Sequence, residues 1–150
     1  MNGQASGLGA LEPVALLVGR LLMSIIFIIG GWGKLMAGAA TTAYFAKVGL
    51  PLPEVGYYVA VIVELIGGLM LLFGVLTRWV GLVLAIWCVA TALTAHTVWS
   101  DPAAGRNQQI HFFKNMAMCG GFLFVAVFGG GAFAVDALMG RRRAMAVGRA

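Results

Sequence analysis

The sequence predicts an all-α integral membrane protein: an antiparallel bundle of four transmembrane helices, with a short interfacial helix in its first loop. Three observations predict it. Of the 150 residues, 61% are hydrophobic and only 10% are charged, whereas a soluble domain carries about 25% charged residues; that much apolar side chain does not fit in one water-facing core. The apolar residues gather into four runs, each near or above the ~20 residues a helix needs to cross ~30 Å of hydrocarbon. Alternating ten-residue segments, the mark of a membrane β-barrel, are missing, and a helix satisfies its own backbone groups in lipid.

The first run is Val14–Met36, preceded by an N-terminal segment, residues 1–13. Ala37–Ala39 mimics a small-residue cleavage site. The run is nevertheless too long for a signal peptide, Arg20 interrupts it and no positive charge leads it, so a retained span is expected. The loop Ala37–Gly56 contains Tyr44, Phe45, Val48 and Leu50, which suit a short helix lying in the interface. Pro53 and Glu54 fit the opening turn of the second span, Pro53–Leu76. A tight turn at Leu76–Trp79 leads to the third span, Trp79–Val98. The most polar loop, Trp99–His111, precedes the fourth, Phe112–Asp136, and a basic tail follows over residues 139–150. Trp32, Trp79, Trp99, Tyr57 and Tyr58 fall near span ends, as an aromatic belt does. Residues 14–138 form one transmembrane domain in this reading.

Four spans put both termini on one side. That side holds Arg20, Arg78, Arg141, Arg142, Arg143 and Arg149, against Lys34, Lys47, Arg106 and Lys114 on the other. The excess places the termini in the cytoplasm and the two longer loops outside. It also accounts for the net charge of +5 without a nucleic-acid partner. Cys88 and Cys119 sit inside apolar runs as small fillers with no CxxC, so a zinc site or thioredoxin-like motif is not supported. No Gly-rich phosphate loop, nucleophile elbow or haem-binding pair is present.

The polar residues inside the spans are few and patterned. Arg20, Ser24, Phe27, Gly31 and Lys34 are spaced to form one stripe at about 100° per residue. A charge at mid-bilayer is costly, so this face looks into the bundle. Glu64 shares a face with Gly67, Gly68 and Leu71, where the glycines admit a neighbouring backbone. His96 lies above Ala92, Val89 and Ala85. Lys114 and Asn115 begin a run through Met118, Cys119, Gly121 and Phe122. Glu64 falls on the order of 10 Å below the outer edge at 1.5 Å per residue, with Lys34, His96 and Lys114 nearer the edge. The expected company of Glu64 is therefore Lys34, His96, Lys114 and Asn115. Arg20 stands apart in the inner half, with Asp136 as its expected partner. His111 is read as an interfacial residue and no metal is expected. The outer cluster is either a structural ion pair or a polar pocket that binds a small ligand or moves protons; a histidine beside a carboxylate suits proton transfer. Spacing leaves both readings open.

Several segments together resemble the DoxX family of small four-helix bacterial membrane proteins. They are Gly19–Leu35 (GRLLMSIIFIIGGWGKL), Gly49–Pro53 (GLPLP), Val63–Trp79 (VELIGGLMLLFGVLTRW), His96–Trp99 (HTVW), Phe112–Phe124 (FFKNMAMCGGFLF) and Gly129–Asp136 (GGGAFAVD). The last departs from the family, which tends to have a proline and an aromatic-Ser-Leu-Asp ending there. The resemblance implies an inner-membrane, oxidoreductase-associated protein. One branch of the family looks like the membrane subunit of a thiosulfate:quinone oxidoreductase, and another is linked to thiol-redox complexes with soluble partners. Carried onto this sequence, it implies quinone as the cofactor, Glu64 and His96 as the proton-handling pair, and Lys34, Lys114 and Asn115 as its contacts. Its partners would be the lipid bilayer and either other subunits or further copies of the chain. The alternatives are a non-catalytic membrane subunit that anchors a larger complex and, third, an oligomeric transporter or channel.

Overall fold

In the computed structural model the backbone is described for residues 7–147 and the side chains for residues 9–141. Among these residues the regular elements are helices. They are α1 (Gly7–Met36), α2 (Gly38–Lys47), α3 (Pro53–Phe73), α4 (Thr77–Ala95), α5 (Gly105–Phe128) and α6 (Val135–Val147). Of these, α1, α3, α4 and α5 are long and apolar enough to cross a membrane. The fold is the expected all-α membrane bundle, and α2 is the short helix expected in the first loop. It exposes at least part of every residue.

The bundle closes on one shared core. Phe27 of α1, Leu71 of α3, Leu84 and Cys88 of α4, and Phe122 and Val125 of α5 pack together. The Phe27 and Phe122 rings meet edge to face at 5.1 Å, the geometry their quadrupoles favour. Leu22, Ile29, Phe73, Ile86, Phe124 and Val127 point outward, an apolar girdle that lipid can cover. Between lipid-solvated helices close packing replaces the hydrophobic drive, so small residues set the contacts. A Cβ on Gly31 would stand 2.6 Å from the Leu65 backbone nitrogen. Only glycine lets α1 lie this close to α3.

The boundaries differ from the sequence reading at three places. α4 ends at Ala95 rather than Val98: His96 leaves helical geometry at φ −131, and its carbonyl accepts the Trp99 indole N–H at 2.8 Å. α5 begins at Gly105 rather than Phe112, because Asp101 accepts the Ala103 and Ala104 amides at 2.8 and 3.1 Å and starts the helix in the polar loop. Hydropathy marks where a helix enters oil, not where it begins. α5 also ends at Phe128, where Gly129 and Gly131 take positive φ, so Asp136 belongs to α6.

The α3–α4 turn is Gly74–Leu76, beginning two residues earlier than expected. Gly74 sits at φ 71 and Leu76 at φ 48; a Cβ on Gly74 would run into the Arg20 guanidinium and Ala134. Asp136 caps the start of α4 from across the chain. Its carboxylate accepts the Leu76 amide at 2.8 Å, the Thr77 amide at 2.7 Å and the Thr77 hydroxyl at 2.7 Å. The expected Arg20–Asp136 ion pair is thus not made, since α4's orphan amides take the carboxylate first. Arg20, buried, donates from Nη2 to the Phe133 carbonyl at 3.4 Å. Burial alone would raise the Asp136 carboxyl. The Thr77 amide and hydroxyl, the Leu76 amide and the Arg20 charge outweigh it and hold the group below the usual carboxylate range. The basic residues Arg142, Arg143 and Arg149 lie outside the described side chains.

Candidate functional site

α3 is not α-helical throughout. Residues Ile62–Ile66 form a single π-helical turn with Glu64 at its centre. Such turns widen the helix by one residue and recur at functional sites. The widened turn lies against Gly30 and Gly31 of α1: a Cβ on Gly30 would come within 2.9 Å of Glu64 Oε2. The glycine pair and the π-turn together deliver the carboxylate into the bundle.

Glu64 is 7% exposed, and both of its oxygens are engaged. Lys34 Nζ donates to Oε2 at 2.6 Å, and Trp87 Nε1 donates to Oε1 at 3.2 Å. The ammonium keeps two further hydrogens for other acceptors. The pair forms the floor of a cavity of about 600 Å³ that also touches His96. Its upper walls are apolar, with Phe45, Val48, Leu50 and Val59 among them. A mostly apolar cavity of this size with a few convergent polar groups has the form of a small-molecule site. A larger open depression of about 970 Å³ lies between α2 and the start of α3. Its one acidic group, Glu54, is exposed, so it gathers no comparable chemistry.

The expected cluster forms in part. Glu64 and Lys34 are joined directly, and His96 shares both the main cavity and a crevice of about 160 Å³ beside it. Lys114 and Asn115 reach only the crevice. Asn115 is buried, and its Nδ2 donates to the His111 carbonyl of its own helix at 2.9 Å. Lys114 is exposed and its Nζ donates to His111 Nδ1 at 2.8 Å. Two consecutive residues stand about 100° apart on a helix, so Lys114 meets the crevice from the exposed side and Asn115 from the buried one. His111 is more than an interfacial residue: its ring stacks on His96 at 5.1 Å. His96 Nδ1 lies 2.7 Å from Gln108 Oε1; the oxygen only accepts, so Nδ1 is the donor of this bond. Among the described residues no three His, Cys, Asp or Glu side chains gather as a metal site.

Trp87 was not legible as a site residue. Its signal is a tryptophan eight positions inside α4, away from the interfacial belt, where the indole N–H needs an acceptor.

The sequence profile of the DoxX family matches residues 15–97, from the first turns of α1 to just past the end of α4. Over 135 residues the chain is 41% identical to "Inner membrane protein YqjF" of Escherichia coli K12, covering 88% of this chain and 97% of that protein. The chain belongs to the DoxX family. A second E. coli relative, "Inner membrane protein YphA", is 35% identical over 130 residues, 85% of this chain and 92% of the relative. A shorter likeness, 35% identical over 75 residues, covers 50% of this chain and 54% of "Putative oxidoreductase CatD" of Bacillus subtilis. No solved structure matches significantly. The DoxX match takes in Lys34, Glu64, Trp87 and His96 of the main cavity, but stops short of Lys114 and Asn115 on α5.

Proposed function

We propose that this DoxX protein is the quinone-engaging membrane component of a redox system in the bacterial inner membrane, with both termini in the cytoplasm. The observation that carries this reading is the Lys34–Glu64–Trp87 group, lying with His96 against an otherwise apolar cavity of about 600 Å³. The inner-membrane names of the two E. coli relatives and the oxidoreductase name of the B. subtilis protein support it. The orientation rests on the excess of basic residues on the termini side.

The donor set fits a quinone headgroup. A carbonyl oxygen is an acceptor, and Lys34 has hydrogens to spare. Trp87 fixes Glu64, and Glu64 fixes Lys34, so the donor is oriented before a ligand arrives. His96, with Nδ1 held by Gln108, offers Nε2 to take a proton from the cavity side. With a ligand filling the cavity, the apolar walls would exclude water and strengthen each of these contacts. A bound quinone would supply two-electron, two-proton chemistry, and a partner protein would exchange the electrons.

The test is direct. Protein purified from bacterial membranes should release an isoprenoid quinone on solvent extraction, near one per chain, and Glu64→Gln or His96→Ala should lower that yield at least tenfold. Wild-type protein that holds no quinone after reconstitution with ubiquinone, or variants that hold as much as wild type, would reject the reading. Reproducible co-purification of other membrane subunits, undisturbed by these changes, would favour the anchoring role instead.

A further inference from the structure

The site's cavity has a rim as well as a floor. A residue that both lines the cavity and is exposed stands at its opening. Five do so: Ala40, Val55, Val59, Ala90 and Thr94. None carries a charge. Val55 and Val59 lie one turn apart on α3, and Ala90 and Thr94 one turn apart on α4. At 1.5 Å per residue, Val59 lies about 9 Å below the start of α3 and Ala90 about 8 Å below the end of α4. This part of the opening is therefore set within the stretches of α3 and α4 that are long and apolar enough to cross a membrane. α2 roofs it with Tyr44 and Phe45, and the Tyr44 hydroxyl donates to the Ala95 carbonyl at the end of α4 at 3.0 Å.

We propose that the ligand enters this site sideways from the bilayer, between α3 and α4, and that Tyr44 latches the roof above it. The occupant is thus a lipid-dissolved molecule with an apolar body and an oxygen acceptor at one end. That end meets Lys34 and Glu64, and the body leaves past Val59 and Ala90 into lipid. A water-borne anionic metabolite fits poorly, because it would have to cross an uncharged rim to reach the ammonium. The inference narrows the ligand class of the proposed quinone site and rests on that reading for the identity of the headgroup, but the route stands on the rim alone.

Two measurements separate them. In the first, Thr91→Cys or Thr94→Cys is placed in a Cys88→Ala/Cys119→Ala background, in nanodiscs. The cysteine is labelled with a bilayer-partitioning maleimide and with a charged, membrane-impermeant one. The lipid-soluble reagent should react at least tenfold faster, Ala90→Phe should slow it about tenfold, and Tyr44→Phe, which removes one hydrogen bond, should speed it about fivefold. Thr94 lies at the rim outside the packed core, so that variant reports even where Thr91→Cys fails to fold. Equal rates for the two reagents, or indifference to Ala90→Phe, overturn the lateral route. In the second, ubiquinone-1 binding is measured in the same discs. The labelling pattern without ubiquinone-1 binding upholds the route and rejects the quinone; a ubiquinone-1 association rate that is unaffected by Ala90→Phe rejects the route.

Discussion

Replacing Lys34 by methionine removes the ammonium but keeps a straight apolar stem in its place. Glu64, whose side chain is 9% exposed, then keeps only the Trp87 bond. Stripping one partner from a fully buried ion pair costs about 3–5 kcal/mol. The Lys34 side chain is 29% exposed, so water already screens part of the interaction and the expected cost falls to about 2–3 kcal/mol. Glu64→Gln is milder, about 1–2 kcal/mol, because the ammonium can turn to water and the amide oxygen still accepts from it. Removing both charges, in Lys34→Met/Glu64→Gln, leaves no buried charge unpaired and keeps an acceptor for the Trp87 indole, and should fall within about 1 kcal/mol of wild type. Thermal unfolding in one detergent reads the series. For a chain of this size 1 kcal/mol moves Tm by about 2–4 °C, so Lys34→Met should melt about 4–12 °C lower and the double variant should recover most of that loss. A double variant as unstable as the sum of the two singles would show that the groups act independently, and the coupled floor of the cavity would then be abandoned.

Three further outcomes follow from the same geometry. Glu54, exposed in the first turn of α3, should tolerate Glu54→Gln within about 0.5 kcal/mol, so equal damage at Glu54 and Glu64 in the same melts would count against a special environment for Glu64. Gly31→Ala pushes a methyl against the Leu65 backbone nitrogen and should cost about 1–3 kcal/mol, whereas Gly33→Ala, which meets nothing within 4 Å, should be neutral or stabilising. Asp136→Ala removes the cap of α4 and should cost about 1–2 kcal/mol at neutral pH. Because folding holds the Asp136 carboxyl low, its contribution is present above the unfolded value of about 3.9 and is lost as pH falls through the folded value. The melting difference between wild type and Asp136→Ala should therefore shrink steadily as pH falls below about 3.9, and a difference indifferent to acid would show the residue acts other than through its charge.

How far the sequence could be read is decided by what each residue's position depends on. The stripe Arg20, Ser24, Phe27, Gly31 is buried and Lys34 half-buried, since a helical period and the cost of charge in lipid together leave one face available. Glu64, Gly68 and Leu71 are buried for the same reason. Lys114 reaches the crevice beside Glu64, but its ammonium bonds His111 of its own helix, a contact that depth in the membrane does not reveal. Asp136 was misassigned because its competitor for bonding, the open start of α4, exists only once the chain has folded. The π-turn at Glu64 left no trace in composition or period: it is a one-residue slip that α1's glycines permit and that packing selects. Trp87 could have been suspected, since a deep indole asks for an acceptor and Glu64 is the one carboxylate at that depth.

Whether the Lys34–Glu64 pair is a lock or a site turns on its surroundings. A pair kept only to fasten helices gains from being packed on every side, because protein interiors fill space and voids forfeit contacts. This pair lies instead on the floor of an opening of about 600 Å³. The π-turn that brings it there departs from the α-helical pattern of α3, and its neighbours Trp87 and His96 line the same opening. A lock needs none of these features. A ligand-binding floor needs all of them: a donor aimed before binding, a carboxylate kept in place by two partners, an imidazole within reach and apolar walls that hold water out. The arrangement costs packing where a structural pair would have gained it, and the binding proposed above would offset such a cost.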